Sequence, residues 1–293
     1  MTLGFRLSGP SPDPKTLDPR EAAVRPDLAD VALAGRIARA HYACPVVRRV
    51  AVSVVDLRSG PEAHAPAVSQ LLFGEGFAVL DLGAGAAWGY GLHDHYVGYV
   101  DAATLTAEGQ GGRPVLVGPG DGLLLADPTS KARVVAWLPA GAELAVGDGE
   151  GEFLPVVAGP GAGGYVHRRH VMPGPAPDWV AVAEGFLGAP YRWGGRARTG
   201  LDCSGLLQVA RKLVGRPARR DSDMLFADAG PDLGPGEPCR RGDLAWWPGH
   251  IGVMVDDERL LHANAFHMRV TLEPLHEVEA RLGVPARRRR PLG

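Results

Sequence analysis

The sequence predicts an α+β protein: an all-β N-terminal half, then a C-terminal module that runs helices first and an antiparallel sheet second. Three observations predict it. Between about Arg48 and Val166, short apolar runs such as "RVAVSVVDL", "FAVLDL", "RVVAWL" and "FLPVVA" alternate with glycine. "HVMPGPAPDW" (170–179) reads as a Pro-rich linker. After it the apolar period becomes helical, and past Gly242 it returns to strands. The chain has 293 residues, enough for two or three domains. A formal net charge of −2 gives no global pull toward nucleic acid. No window approaches the roughly 18–20 apolar residues of a spanning helix. No membrane partner is therefore expected.

Taken in order, residues 1–40 are expected to form a mobile arm (1–25) and a short helix over Leu28–Arg39. That N-terminus lacks the basic start and apolar core of a signal peptide, so a cytoplasmic location is expected. Two small β units follow, over 41–103 and 104–170. A faint repeat joins them: the Gly-Tyr-Val triplets at Gly98 and Gly164 share one offset with Leu72 and Leu138. The pattern resembles tandem bacterial SH3-like barrels.

The remaining 171–293 form the α+β module. Trp179, Val182, Ala183 and Phe186 fall at i, i+3, i+4 and i+7, which predicts a first helix. Asp202 can cap a second, on which Cys203, Leu206, Leu207 and Ala210 share a face before Gly215 stops it. A short third helix is placed after Asp221. "DLAWW", "HIGVMV", "RLLHA" and "RVTL" are read as strands, and "ARRRR" as a solvated tail.

Cys203 thus lies in the first turn of a helix, where partial positive charge and unpaired N–H groups favour a thiolate. Such positions bring a cysteine from about 8.5 to roughly 3.5–7.5, and the thiolate is the nucleophile. His250 opens one strand and His262 closes the next. If the turn "DDER" makes these strands antiparallel neighbours, the two imidazoles meet. Cys203, His250 and His262 then fit a nucleophile, base and orienter. Asn264 and His267 are alternative orienters.

The ordered motifs "YRWGG…LDCSGL", "RRDSDM", "RRGDLAWW…GHIGVMV" and "LLHANAFHMRV" resemble the NlpC-type papain-like cysteine peptidases. The resemblance implies Cys203 as nucleophile, His250 as base, His262 as the residue orienting it and Tyr191 as an aid to the oxyanion. It implies no cofactor. A narrower resemblance is to bacterial γ-D-glutamyl-L-diamino-acid endopeptidases, which carry two SH3-like domains before the catalytic one. That likeness implies a small murein peptide, L-Ala-γ-D-Glu-diamino acid, as partner. It also implies that its free amine is held by Glu75 and Tyr96 of the first barrel, with Asp221 and Ser222, and with Asp202 and Ser204 beside the nucleophile. Gly98-Tyr99 stands where Gly-Trp is commoner. Trp193 is assigned to the substrate cleft, while two of the three tryptophans Trp193, Trp246 and Trp247 are expected to pack. Cys44 and Cys239 have no chemical context and are read as incidental. His93 and His95 around Asp94 read as a polar turn, and no metal site is expected.

Overall fold

The computed structural model describes residues 17–149, 151–234 and 236–291. The chain divides into two compact units. The first comprises Met1–Pro114, Leu124–Ala136 and Ala142–Tyr165, and the second Val115–Leu123, Trp137–Gly141 and Val166–Gly293.

The first unit is built on a seven-stranded sheet. Its strands, in spatial order, are Ala67–Leu72, Val54–Arg58, Val97–Asp101, Ala86–Gly91, Gly76–Gly83, Val46–Val50 and Leu105–Ala107. The order is open, with Ala67–Leu72 and Leu105–Ala107 at the two ends, so the SH3-like sheet is not closed into a barrel. Inward-facing Val50, Leu57, Phe77, Ala87 and Val100 form its core. The sheet runs past the expected limit at residue 103. Asp101 caps a single tight turn over Ala102–Thr104, which returns the chain antiparallel to Val46–Val50.

Two expectations for the N-terminal segment are corrected. Leu28–Arg39 is not a helix: Leu28–Asp30 is a strand parallel to His41–Ala43. A three-residue turn follows, capped by the Asp30 carboxylate on Ala32 N–H. Only Leu33 in that turn is buried, too little apolar face to sustain a helix. The expected arm lies largely outside the described residues, but its end is packed. Ala23 joins a cluster with Leu80 and Trp88, and the Arg25 guanidinium lies 4.6 Å over the Trp88 ring while pairing with Asp81 at 2.7 Å.

Residues 113–167 supply six further short strands, among which Glu143–Val146 and Phe153–Ala158 pair antiparallel. The division between the two units runs through this segment. The repeat read from sequence holds at the level of burial: Leu72 and Leu138 end strands with no exposure, as Val100 and Val166 lie inside theirs.

In the second unit, α1 (Trp179–Glu184), α2 (Cys203–Leu213) and α3 (Ser222–Asp228) precede a five-stranded sheet. Its order is Arg269–Pro274, Arg259–Asn264, His250–Met254, Leu244–Trp247 and Arg287–Arg289. One core joins α1, α2 and the sheet through Val182, Phe186, Leu206, Leu207, Ile251, Val253, Leu261 and Val270. A helix that the strand reading missed, α4 (Leu275–Leu282), follows the sheet and buries Leu275 and Val278. The arginine run is not a solvated tail. Arg287–Arg289 forms an edge strand against Leu244–Trp246, Arg287 and Arg289 pair with Asp232, and Arg290 pairs with Glu237 and Asp243. No helix among the described residues is long and apolar enough to cross a membrane.

Candidate active site

Asp202 decides where α2 begins. One carboxylate oxygen accepts from Gly205 N–H at 2.7 Å and the other from Gly194 N–H at 2.8 Å, so the cap also ties the "WGG" loop to the helix start. Gly205 is required by close approach, because a Cβ there would meet the Gly195 carbonyl oxygen at 2.1 Å. Cys203 therefore sits at the first helical position, as read from the sequence, and is buried. Its thiol lies against the backbone N–H of Ile251, the residue after His250.

The thiol itself departs from expectation. Burial and the neighbouring Asp202 carboxylate push it up to about 12, against the opposing pull of the Ile251 and Ser204 N–H groups and Arg220. Desolvation here outweighs the helix end. The imidazole of His250 is pushed down to about 4 by burial and by its neighbours His262 and Arg281. At neutral pH the resting pair is thus neutral thiol and neutral imidazole.

The strands carrying His250 and His262 are antiparallel neighbours joined at Asp256–Arg259, with Val253 opposite Leu261. His250 Nε2 lies 2.8 Å from His262 Nδ1. Gly252 makes the space, since a Cβ there would meet Leu260 Cδ1 at 2.8 Å and His262 Cβ at 3.0 Å. Of the three possible orienters, His262 is the one that meets His250. Asn264 donates to Thr271 Oγ1 and accepts from His267 N–H, and His267 reaches Glu273 at 3.0 Å.

Two charged residues of this site were missed in the sequence. Arg220, 1% exposed, grips both Asp202 oxygens at 3.0 and 2.6 Å and donates to Ser204 Oγ at 2.9 Å. It sits in "RRDSDM", but an arginine within that motif gives no sign of burial. Glu273 lies 2.7 Å from His262 Nε2 and is clamped by both terminal nitrogens of Arg281. Those contacts hold its carboxyl down to about 2 despite burial. A glutamate near the end of a strand carries no local signal of that role.

The other candidates fall as follows. Tyr191 is half-buried, bonded through its N–H to Met268 O at 2.9 Å. Burial and the nearby Cys203 and Asp202 push its hydroxyl up to about 12, so it remains a donor at neutral pH. Asp202 and Ser204 are both engaged with Arg220. Asp221 precedes α3 without capping it, and Ser222 is buried in the first turn. Trp193 is 66% exposed, while Trp247 is buried and Trp246 stacks on Phe226 at 5.2 Å. In the first unit, Glu75 is fully buried, accepts from Leu72 N–H at 2.8 Å and lies 3.8 Å from His93 Nδ1. Tyr96 is buried in the core of the same unit, and its N–H donates to Asp94. His95 takes a left-handed conformation, φ 59°, in the turn read from "LHDHY". Cys44 is exposed and Cys239 buried.

A buried thiol at a helix start, bonded to the N–H that follows His250, with His250 in turn hydrogen-bonded to His262 on the next strand, is an arrangement that suits cysteine-peptidase chemistry of the papain-like kind. Residues 188–281 match the NlpC/P60 family and residues 57–105 the bacterial dipeptidyl-peptidase Sh3 domain, so the chain carries an NlpC/P60 peptidase domain behind a bacterial SH3 domain. The chain is 31% identical over 98 residues to dipeptidyl-peptidase 6 of Lysinibacillus sphaericus, covering 33% of this chain and 36% of that protein. It is 32% identical over 113 residues to the gamma-D-glutamyl-L-lysine dipeptidyl-peptidase of Bacillus subtilis, covering 34% of this chain and 37% of that protein. The matched stretch thus spans little more than a third of those relatives' lengths. The crystal structure of an NlpC/P60 family protein from Bacillus cereus superposes with a TM-score of 0.72 at 19% identity, covering 85% of this chain and all of that one. At that identity the likeness is one of fold.

Proposed function

We propose that this protein hydrolyses the γ-D-glutamyl–diamino-acid bond of small murein peptides with a free N-terminal L-alanine, in the cytoplasm. The observation that carries the peptidase chemistry is the line of contacts from Cys203 at the start of α2, through the strand of His250, to His262. The relatives named gamma-D-glutamyl-L-lysine dipeptidyl-peptidase support the choice of bond.

The Cys203 proton passes to the lone pair of His250 as sulfur adds to the γ-carbonyl carbon. The carbonyl π pair becomes an oxyanion, assigned to the Cys203 N–H and the Tyr191 hydroxyl. Collapse breaks the C–N bond, and His250 returns the proton to the departing amine. Water, deprotonated by His250, then adds to the thioester and releases the L-Ala-D-Glu acid and the thiol. Because the resting pair is neutral, proton transfer and attack are coupled rather than starting from a stored thiolate.

Within the second unit, Asp221 and Ser222 at the start of α3 are the proposed polar contacts of the peptide, with Trp193 as an exposed aromatic wall; within the first unit, the buried Glu75 carboxylate and Tyr96 are the residues proposed to select its ammonium group. Two measurements test the reading. Cys203→Ala is expected to lose turnover completely while still binding peptide; hydrolysis by the pure variant rejects the mechanism. L-Ala-γ-D-Glu-diamino acid should be cut far faster than its N-acetylated form. Equal rates would remove the free-amine requirement and favour a hydrolase of the intact polymer.

A further inference from the structure

We infer that Glu273 is a positioning residue which, acting through His262, fixes His250 as the Nε2–H tautomer and so leaves its Nδ1 bare to take the proton of Cys203. The inference rests on the reading of His250 as the base for Cys203.

Hydrogen-bond polarity is fixed step by step along the chain of contacts. Glu273 meets the two terminal nitrogens of Arg281 at 2.9 and 3.1 Å, His267 Nε2 at 3.0 Å, Thr271 Oγ1 at 3.3 Å and His262 Nε2 at 2.7 Å. A carboxylate opposite a guanidinium is ionised and can only accept. The proton in the 2.7 Å contact therefore sits on His262 Nε2. His262 is 1% exposed, and burial keeps its ring neutral, so a single proton is available to it and its Nδ1 is bare. Across the 2.8 Å contact, a bare His262 Nδ1 requires His250 Nε2 to donate. His250 is neutral as well, and its remaining nitrogen, Nδ1, is then the lone pair.

The third member is thus a neutral histidine, which has no preferred polarity of its own. Either of its nitrogens could carry the proton. Glu273 removes that choice, and Arg281 and His267 hold Glu273 in place to do so. An imidazole between a base and a carboxylate transmits tautomer in one direction only, since each ring turns an acceptor at one end into an acceptor at the other.

Histidine ¹⁵N NMR on the full chain, with kcat and KM on L-Ala-γ-D-Glu-diamino acid, tests this. In the wild type both His250 and His262 should show a protonated Nε2 and a bare Nδ1. A protonated Nδ1 on His250 in active wild-type protein overturns the inference. Glu273→Gln offers an amide donor toward His262 and should reverse both rings. A wrong tautomer behind a serine-triad imidazole costs about 10⁴ in kcat; one ring further out, we expect a loss of about 10² or more with KM within about twofold. Glu273→Asp should restore the wild-type tautomers and part of kcat. A folded Glu273→Gln protein with wild-type kcat overturns the inference; if that variant fails to fold, the wild-type spectrum decides. Wild-type protein with the expected tautomers that leaves the peptide uncut supports the relay and overturns the substrate reading instead.

Discussion

Asp202 stands beside the thiol and Glu273 stands behind the second imidazole, and each is a carboxylate clamped by an arginine. Their uses differ. Asp202 spends its oxygens on two backbone N–H groups and on Arg220, all within a fully buried shell. It fixes where a backbone turns. Glu273 shares its oxygens among Arg281, His267 and His262, and Arg281 keeps 24% of its side chain exposed. It fixes which atom carries a proton. The same ion pair chemistry thus serves stability at one end of the proposed catalytic pair and tautomer selection at the other. What separates them is whether the carboxylate's remaining partner is backbone or a titratable ring.

The sharpest way to break this comparison is to remove each arginine. Arg220→Met strands the Asp202 carboxylate in a dry site, and should lower unfolding free energy by about 3–5 kcal/mol in urea denaturation. Arg281→Met, at a partly solvated pair, should cost only about 1 kcal/mol yet reduce kcat. Equal stability losses would erase the distinction between the two carboxylates.

A second test uses charge beside the sulfur. Asp202→Asn removes the negative neighbour that raises the thiol while leaving Arg220 to favour the thiolate. The pH profile of Cys203 alkylation by iodoacetamide should move to lower pH. An unmoved or higher profile would show that Asp202 does not act on the thiol.

Acid sharpens the comparison further. Because His250 is held down to about 4, the acidic limb of kcat/KM should lie near pH 4 rather than near the ordinary imidazole value. His250 and His262 both have depressed values, so the unfolded chain binds protons first as pH falls below about 6.5. The His250 contribution to stability is present above that value and is lost on the way down to about 4; that of His262 is lost in the same direction. Glu273, held down to about 2, continues the loss below about 4.5. A melting temperature that rises from pH 7 to pH 4 would contradict these assignments. The smallest expected effect is at Trp193: an exposed indole touching neither carboxylate should change stability by no more than about 0.5 kcal/mol when replaced by Ala. A rise in KM with kcat unchanged would mark it as cleft wall.

Much of the site was legible because its cues are local. Asp202 preceding an apolar helical face marks the start of α2, and a four-residue turn between two apolar strands brings His250 to His262. The glycines of "WGG", "DCSG" and "GHIG" are legible as motif but not as cause; Gly205 is needed because a backbone oxygen occupies the space of a Cβ, and Gly252 because Leu260 and His262 crowd it. The expected helix over Leu28–Arg39 failed because its apolar face was too thin. α4 was missed although Leu275, Val278 and Leu282 keep helical spacing, since no element was assigned to so short a run after the last strand. The arginine run was read as solvated because composition does not show that Asp232, Glu237 and Asp243 wait across the chain.

By itself the sequence determined the order of the α+β parts, the capped start of the nucleophile's helix and the pairing of two histidine-bearing strands, because caps, turns and periodicity act over a few residues. Only the tertiary structure decided that the thiol rests neutral, that Arg220 neutralises Asp202, and that Glu273 reaches His262. Desolvation and ion pairing depend on which groups share a dry volume, and residues distant along the chain meet there only after folding.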